Sequence, residues 1–321
     1  MAIIAEKMGF DINYSIIIPH KNIPHLLQRC LDSIPRREDV QIIVVDDNSD
    51  SSEVNFDDFP GLNDPFVEVV FGKNEDGRKG AGYARNLGLE KAKGKWLVFA
   101  DADDFFMPCF NESLNKYVND ENDIIYFYVT SIDDDTSLPS TRHLYIVEFL
   151  EKIKETNEWD LTCFLHNPVG KFIKRKIVCD SDILYSEVQW GNDIFFGIKT
   201  MAAATSKKIA DETIYCIISR EASLTKQISS KTLLIRFMEL HRAYILLENL
   251  NQKHYLKKIF SELWLKILYC NFSKATLLIP KMINLGRIRF VIFHIAKQLV
   301  KNTCSYERTF KKMEQNSHKL L

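Results

Sequence analysis

The sequence predicts an α/β fold with a mainly parallel sheet flanked by helices. Three observations support it: short continuous apolar runs, an amphipathic helical stripe between the first two runs, and polar residues at the end of each run. Strands that alternate with helices are typical of parallel sheets, because a parallel connection needs a long crossover. With 321 residues and 46% apolar composition, the chain is long enough for two domains.

The elements follow one another regularly in the first hundred residues. Apolar side chains recur at helical spacing over 23–34, which predicts a helix lying on the sheet. A second helix is predicted over 82–92, and the chain turns helical from 226 to its end. The predicted strands are 14–18, 40–45, 66–71, 96–100, 124–129 and 214–218.

Charge is distributed unevenly along the chain. The net charge is −1, yet residues from Lys226 onward contain 18 Lys or Arg against 5 Asp or Glu, whereas the first 225 residues contain 24 against 38. This asymmetry suggests an anionic partner for the tail, either membrane lipid or nucleic acid.

The cysteines and the apolar segments indicate the compartment. Seven cysteines are an odd number, lie far apart and form no CxxC pair, so we expect reduced thiols. The start of the chain has no basic-then-apolar signal pattern, and no run of 18 uncharged apolar residues occurs. The sequence therefore predicts a cytoplasmic protein.

An acidic cluster follows the apolar run 96–100. Asp101, Asp103 and Asp104 come directly after it, and ligands of open α/β sheets bind at the carboxyl ends of the strands. Mg²⁺ and Mn²⁺ prefer carboxylate oxygens and keep positions open for phosphates. A divalent-cation site is the sharper interpretation, and a polar turn after a strand is the alternative. Two more polar tips, 19–22 and 46–49, are expected at the same edge.

Six segments in order resemble the inverting glycosyltransferases of family 2 type, which have the GT-A fold. They are SIIIPHKN at 15–22, IIVVDDNSD at 42–50, GAGYARNLGLEKAKGKWLVFADADD at 80–104, NPVGKFIKR at 167–175, WGNDIFF at 190–196 and ISREASLT at 218–225. The resemblance implies a Rossmann-like nucleotide-diphospho-sugar transferase domain over 1–225, with a nucleotide-sugar half at 14–110 and an acceptor half at 111–225. A basic helical region would occupy 226–321.

The resemblance implies a nucleotide-sugar donor, and a UDP-sugar is the expected one. Asp47 would meet the base, since a carboxylate can accept the imide N–H of uracil. Two alternatives stay open: His20 could be a loop histidine packed on the helix, and Asp47 could cap a turn. The implied donor-binding residues are Pro19, His20, Asn22, Asp47, Gly82, Arg85, Asp101 and Asp103.

The resemblance also assigns the metal and the base. Asp103 and Asp104 would hold Mn²⁺ or Mg²⁺, with Asp101 toward the ribose or donor sugar. Asp193 matches the family's catalytic base, although Asn192 stands where the family usually has Glu. An N-cap is the alternative for Asp193. Trp190 and Asn192 lie on the acceptor side, where Trp190 is either core or a stacking platform for a sugar.

Together these features predict a metal-dependent inverting glycosyltransferase of surface polysaccharide biosynthesis. The acceptor would be a glycan or a polyprenyl-linked sugar, which the basic run Lys171, Lys174, Arg175 and Lys176 could meet through phosphate, unless that run is a solvated face. The basic tail 226–321 could lie on the anionic inner face of a bacterial membrane, or pack on the domain or on a second copy as a homodimer.

Two other functions were weighed against this one. A sugar nucleotidyltransferase would carry a Gly-rich GxGxRL loop after the first strand, and SIIIPHKN lacks it. A nucleotide-binding or nucleic-acid-binding module without catalysis is suggested by the cationic tail alone. No nucleic-acid partner is expected, because the tail carries no recognition motif and the acidic half would repel a polyanion.

Overall fold

The computed structural model describes residues 11–72, 80–220, 229–249 and 272–284, with 264, 265, 267, 268, 287, 291 and 295. The chain divides into two compact units. The first comprises Met1–Gln227 and Arg242–Gln252, and the second comprises Ile228–His241 and Lys253–Leu321. The predicted boundary at 225 lies close to the first division, while 242–252 belongs to the first unit.

The first unit contains a mixed eight-stranded sheet, which confirms the predicted α/β class. Its strands are β1 Tyr14–His20, β2 Val40–Asp46, β3 Val67–Phe71, β4 Trp96–Phe99, β5 Phe105–Phe106, β6 Ile124–Asp133, β7 Lys171–Lys174 and β8 Lys207–Ser219. They lie in the order β3-β2-β1-β4-β7-β6-β8-β5.

Strands β3, β2, β1 and β4 run parallel, and this half of the sheet sets the position of the site. The register places His20 beside Asp46 at the carboxyl ends of β1 and β2. Because parallel strands end at the same edge, the loop after β4 meets these residues there. In the other half, β7 is antiparallel to β4 and β6, while β6 and β8 are parallel.

The helices confirm the predicted amphipathic stripes. Leu27 and Cys30 of the first helix are buried, and so are Leu233, Phe237 and Leu240 near the start of the tail. Within the predicted helical region 226–321, the described residues are 229–249, 272–284 and a few single positions. The helices are α1 Pro24–Asp32, α2 Ala81–Lys91, α3 Phe110–Tyr117, α4 Leu144–Thr156, α5 Arg175–Asp180, α6 Asn192–Ala203, α7 Ser230–Asn249, α8 Phe272–Leu277 and α9 Ile279–Asn284.

Aromatic side chains pack around Phe172 of β7, near the centre of the sheet. The Phe172 ring centroid lies 4.6 Å from Phe127, 5.3 Å from Tyr14 and 6.4 Å from Trp96. Aromatic pairs at such distances add about 0.5–1.5 kcal/mol each beyond simple burial. The cluster fixes β1, β4, β6 and β7 to one another, so the loops at their ends start from a rigid platform.

Two further expectations concern cysteines and membrane spans. The described cysteines Cys30, Cys109, Cys163, Cys179 and Cys216 are all free thiols. Among the described residues, no helix has both the length and the apolar character needed to cross a bilayer.

Candidate active site

The acidic loop after β4 gathers three carboxylates. One carboxylate oxygen from each of Asp101, Asp103 and Asp104 lies within 4.8 Å of the others. The Asp104 N–H donates to the Asp101 carbonyl at 3.0 Å, and the Asp101 N–H donates to the Tyr215 hydroxyl at 2.8 Å. These bonds fold the loop tightly enough for all three side chains to face one point.

The donor set of this loop fits a divalent cation. Asp101 uses Oδ1 for Arg85, Asp103 uses Oδ2 for Arg220, and Asp104 uses Oδ1 for the Ile218 N–H. Within the described residues, each carboxylate is thus held through one oxygen and has a second one for a metal. Hard cations such as Mg²⁺ and Mn²⁺ take ligands of this kind.

Electrostatics at Asp104 also favour a cation. Burial, and then the charges of Asp103 and Asp101, raise the pKa of Asp104 well above its usual range. Crowded carboxylates disfavour ionisation, and a bound cation reverses that penalty. The loop is therefore arranged so that a positive charge stabilises it.

Arg85 on α2 connects this loop with the start of α6. Its Nη2 lies 2.6 Å from Asp101 Oδ1, and its Nη1 donates to Asn192 Oδ1 at 2.9 Å. The guanidinium is buried and lies 5.3 Å above the Tyr185 ring. Burial acts to lower the pKa of Arg85, but the charges of Asp101, Tyr185 and Asp193 and the hydrogen bond to Asp101 together outweigh it, so the net direction is upward. One buried cation thus brings Asp101 and Asn192, both sequence-predicted site residues, into a single cluster.

Asp193 lies in the first turn of α6, directly after Asn192. The N-cap is Gly191, whose φ of +72° suits glycine, so Asp193 is not the cap. Asp193 Oδ2 lies 3.4 Å from His166 Nδ1. Burial raises the pKa of Asp193, but the hydrogen bond and charge of His166, with Arg85, outweigh it and hold the pKa below its usual value. An ionised carboxylate here can accept a proton.

His20 and Asp46 form a buried pair at the carboxyl ends of β1 and β2. The Ile23 N–H donates to His20 Nε2 at 3.1 Å, so the other ring nitrogen donates to Asp46 Oδ1 at 2.8 Å. Asp46 also accepts from the N–H and hydroxyl of Ser49. Both ring nitrogens of His20 therefore have protein partners, as in the alternative of a packed loop histidine.

Asp47 directly follows β2 at the same edge. Its two carboxylate oxygens accept from the Gly80 N–H at 2.9 and 2.8 Å, and Lys21 Nζ lies 3.7 Å from Oδ2. Burial raises the pKa of Asp47, while the Gly80 bond opposes that effect. The carboxylate thus joins the end of β2 to the start of α2.

The remaining predicted donor residues have mainly architectural contacts. Pro19 is buried within β1. Asn22, with a φ of +58°, accepts from the Asp50 N–H at 2.8 Å. A Cβ on Gly82 would lie 2.2 Å from the Ser186 carbonyl oxygen, so only glycine lets α2 pack so closely there.

The two residues predicted on the acceptor side, Trp190 and Asn192, shortly precede Asp193 in the chain. Trp190 is partly exposed, and its buried Nε1 has no hydrogen-bond partner within the described residues. Lys171 is buried rather than solvated, and its Nζ donates to the Asn167 carbonyl. The basic run therefore does not form one face, because Lys171 points inward while Lys176 is exposed.

Two residues of the cluster are not predicted from the sequence. His166 contacts Asp193 across 27 positions of sequence. Arg220, which lies within the segment 218–225, pairs with Asp103 through Nη2 at 2.5 Å. Such pairs depend on how distant segments come together, and the local pattern carries no signal for them. Residues 221–225 of that segment lie outside the described residues.

Comparison with known proteins identifies relatives of this chain. Residues 15–180 match the family described as Glycosyl transferase family 2. The chain is 26% identical over 222 residues to an uncharacterized glycosyltransferase, EpsJ, of Bacillus subtilis, covering 66% of this chain and 62% of the relative. It is 31% identical over 125 residues to the minor teichoic acid biosynthesis protein GgaB of Bacillus subtilis, covering 37% of this chain and 13% of GgaB. The chain thus spans less than two thirds of the length of these relatives.

Solved structures show the same fold. The crystal structure of Staphylococcus aureus TarS 1–349 in complex with UDP-GlcNAc superposes with a TM-score of 0.56 at 18% identity. The match covers 86% of this chain and 87% of the TarS fragment. The likeness establishes a GT-A glycosyltransferase fold for the sheet and its flanking helices.

Proposed function

Because the chain belongs to glycosyl transferase family 2, we propose that it is a metal-dependent inverting glycosyltransferase using a nucleotide diphosphate sugar. The observation that carries the proposal is the position of Arg85, which contacts both Asp101 of the acidic loop and Asn192 beside Asp193. An inverting transfer needs leaving-group stabilisation on one face of the sugar and a base on the other. Arg85 joins the residues suited to these two tasks.

On the donor side, the acidic loop would hold the metal and the diphosphate. A bound Mn²⁺ or Mg²⁺ would neutralise charge that develops on the leaving diphosphate. Asp103 and Asp104 are the proposed ligands, with Asp101 oriented by Arg85 toward the donor ribose or sugar. Asp47 is proposed to meet the base, and Asn22 and Pro19 shape the loop that borders it. His20 supports that loop from below through Asp46.

On the acceptor side, Asp193 is the proposed base. Its lowered pKa keeps the carboxylate ionised at neutral pH, ready to accept the proton of the attacking hydroxyl. A placed carboxylate base contributes about 10²- to 10⁴-fold to rate. Trp190 and Asn192 flank this position, and Trp190 offers an aromatic face for an acceptor sugar.

The donor and acceptor classes rest on the relatives. TarS was crystallised with UDP-GlcNAc, which supports a UDP-sugar donor for the shared fold. GgaB is named for teichoic acid biosynthesis, which supports a cell-surface glycan or a lipid-linked acceptor. We propose both classes for this chain.

The test is transfer from UDP-sugars with Mn²⁺, read out as UDP release and as the anomeric configuration of the product. We expect transfer with inversion in the wild type and loss of about 10²-fold or more in Asp193→Asn. Asp180→Asn, an exposed carboxylate on α5, is the matched control and should retain activity. Retention of configuration, or full activity of Asp193→Asn, would contradict the proposal. UDP-sugar binding without transfer would favour the non-catalytic module.

The basic tail is proposed to bind anionic lipid. Its positive surplus supports attraction to a negatively charged bilayer surface. Lys231→Glu with Lys281→Glu should weaken co-sedimentation with anionic vesicles, while the same changes at Lys91 and Lys152, outside the tail, should not. Equal sedimentation of both double variants would favour the alternatives, a tail packed on the domain or on a second copy. A dimer would then appear as a doubled mass in solution.

A further inference from the structure

The loop that precedes β7 brings His166 to the start of α6. Nδ1 of His166 lies 3.4 Å from Oδ2 of Asp193, and both side chains are about one quarter to one third exposed. The pair therefore sits at the rim of the site, where solvent is only partly excluded. Hydrogen bonds in unliganded sites are often long and shorten when substrate binds.

Helix α6 is shaped to receive this histidine. Gly197 lies one turn after Asp193 on the same helix. A Cβ at position 197 would lie 2.6 Å from both the Cα and the carbonyl oxygen of His166. These are backbone atoms that cannot yield easily. The absence of a side chain at Gly197 therefore allows the His166 backbone to rest on the helix, within reach of Asp193.

The residues after His166 anchor its loop from the other side. Lys171 Nζ donates to the Asn167 carbonyl, and Asn167 Nδ2 donates to the Val169 carbonyl at 3.0 Å. Gly170 has a φ of +71°, and a Cβ there would lie 2.6 Å from Val129 Cγ1. These contacts restrict the backbone on the carboxyl side of His166. The Cα from which the imidazole extends is therefore held in a fixed position.

We propose that His166 is a positioning residue for the transfer: its Nδ1–H donates to Oδ2 of Asp193 and directs the other carboxylate oxygen toward the acceptor hydroxyl. This role rests on the proposed function of Asp193 as the base. His166 itself does not accept the proton, because the nitrogen that faces Asp193 is the donor. The acceptor O–H bond breaks and its proton passes to Asp193. The acceptor oxygen bonds to the sugar carbon as the bond from that carbon to the nucleoside diphosphate breaks, and its electron pair stays on the leaving nucleoside diphosphate.

The charges around Asp193 agree with this role. Burial alone would favour the protonated carboxyl, and the hydrogen bond and charge of His166 are the main factors that oppose it. Arg85 acts in the same direction from α2. Without the histidine, we expect Asp193 to titrate at higher pH. Among the described residues, the titratable and charged groups that interact electrostatically with Asp193 are His166, Arg85, Lys171, Tyr145 and Tyr185.

Two nearly isosteric variants test the proposal. In His166→Asn the side-chain amide nitrogen takes the place of Nδ1, whereas in His166→Gln it takes the place of Nε2. The readout is the pH dependence of kcat/KM for UDP-sugar transfer, whose acid limb reports the base in the free enzyme. We expect His166→Gln to shift the acid limb up by about one pH unit and to lower kcat, with the donor KM unchanged. His166→Asn should restore a profile near that of the wild type.

Asp193→Asn separates this proposal from the one on which it rests. If Asp193→Asn is inactive and His166→Gln shows the shifted limb, the positioning role is supported. If Asp193→Asn is inactive and the profiles of both histidine variants match the wild type, the role of His166 is wrong while the base stands. An active Asp193→Asn overturns both. Thermal melting and UDP binding of each variant show that the fold is intact before the profiles are compared.

Discussion

Arg85 Nη2 lies 2.6 Å from Asp101 Oδ1, which makes the pair one of the tightest side-chain contacts of the site. The arginine is buried, and its second terminal nitrogen is bonded to Asn192. The acidic loop after β4 and the first turn of α6 are therefore fixed relative to each other by one planar cation. This brings the proposed leaving-group side and the proposed base side into one site.

Arg85→Lys should lower kcat/KM by about 10²-fold, a size typical for the loss of one electrostatic contact in an active site. Lysine keeps the charge but cannot reach Asp101 and Asn192 together, since it lacks the planar fork. Steady-state transfer kinetics provide the measurement. Arg37→Lys, on a surface loop where arginine pairs with Asp39, is the control and should behave as the wild type. Wild-type kinetics in Arg85→Lys would show that the bridge is dispensable.

Asp46→Asn should destabilise the protein at neutral pH by about 1–3 kcal/mol, because His20 and Ser49 lose a charged acceptor. Burial raises the pKa of Asp46, but the bonds from His20 and Ser49 outweigh it, so the folded pKa lies below 3.8. In the unfolded chain the pKa of Asp46 is taken as 3.8. The stabilisation from ionised Asp46 is thus fully present above this pH and is lost as the pH falls through the lower pKa of the folded protein.

Urea unfolding of the wild type and Asp46→Asn at several pH values measures this effect. The gap in unfolding free energy should be constant near neutrality and should narrow below a pH of about 4. Asp180→Asn, which changes an exposed carboxylate, should show little gap at any pH. A gap for Asp46→Asn that persists unchanged into acid would show that the ionised carboxylate of Asp46 is not what stabilises the fold here.

Lys171→Met should stabilise the protein more at low pH than at high pH. Burial lowers the pKa of Lys171 to about 7 against an ordinary value of 10.5, and the charge of Asp193 only partly opposes this. The unfolded chain then binds more protons between these two values, so the wild type gains stability as the pH rises from 7 to 10.5.

The difference in unfolding free energy between Lys171→Met and the wild type should therefore shrink as the pH rises from 7 to 10.5. Chemical unfolding at a neutral and at an alkaline pH gives the two differences, and Lys152→Met on the exposed face of α4 serves as the control. If the difference in unfolding free energy were the same at both pH values, burial would not lower the pKa of Lys171 in the folded protein.

Much of the fold could be predicted because its signals are local. Continuous apolar runs located β1, β2, β3 and β4 within two residues, and the stripe over 23–34 located α1. Helix α4, in contrast, is not among the helices predicted from the sequence. Ile146, Leu150 and Ile153 of α4 are buried at helical spacing, so a signal was present. Strand β8 begins at Lys207, well before the predicted 214, because its first half is polar.

The acidic cluster was predictable because its three carboxylates are adjacent in sequence. The partners of these residues were not, because they come from distant segments: Arg220 lies 117 positions from Asp103. His20 illustrates the same limit. Its pairing with Asp46 depends on the parallel register of β1 and β2, which the apolar pattern of either strand alone does not determine.

The central claim is that the carboxyl edge of the parallel strands binds a metal ion and a diphosphate beside a separate base, and UDP binding measured by calorimetry tests it most directly. The account predicts that UDP binds in the presence of Mn²⁺, that Asp103→Asn abolishes this binding, and that Asp193→Asn retains it while transfer is lost. Binding of UDP that is indifferent to Mn²⁺ and unchanged in Asp103→Asn would contradict the account.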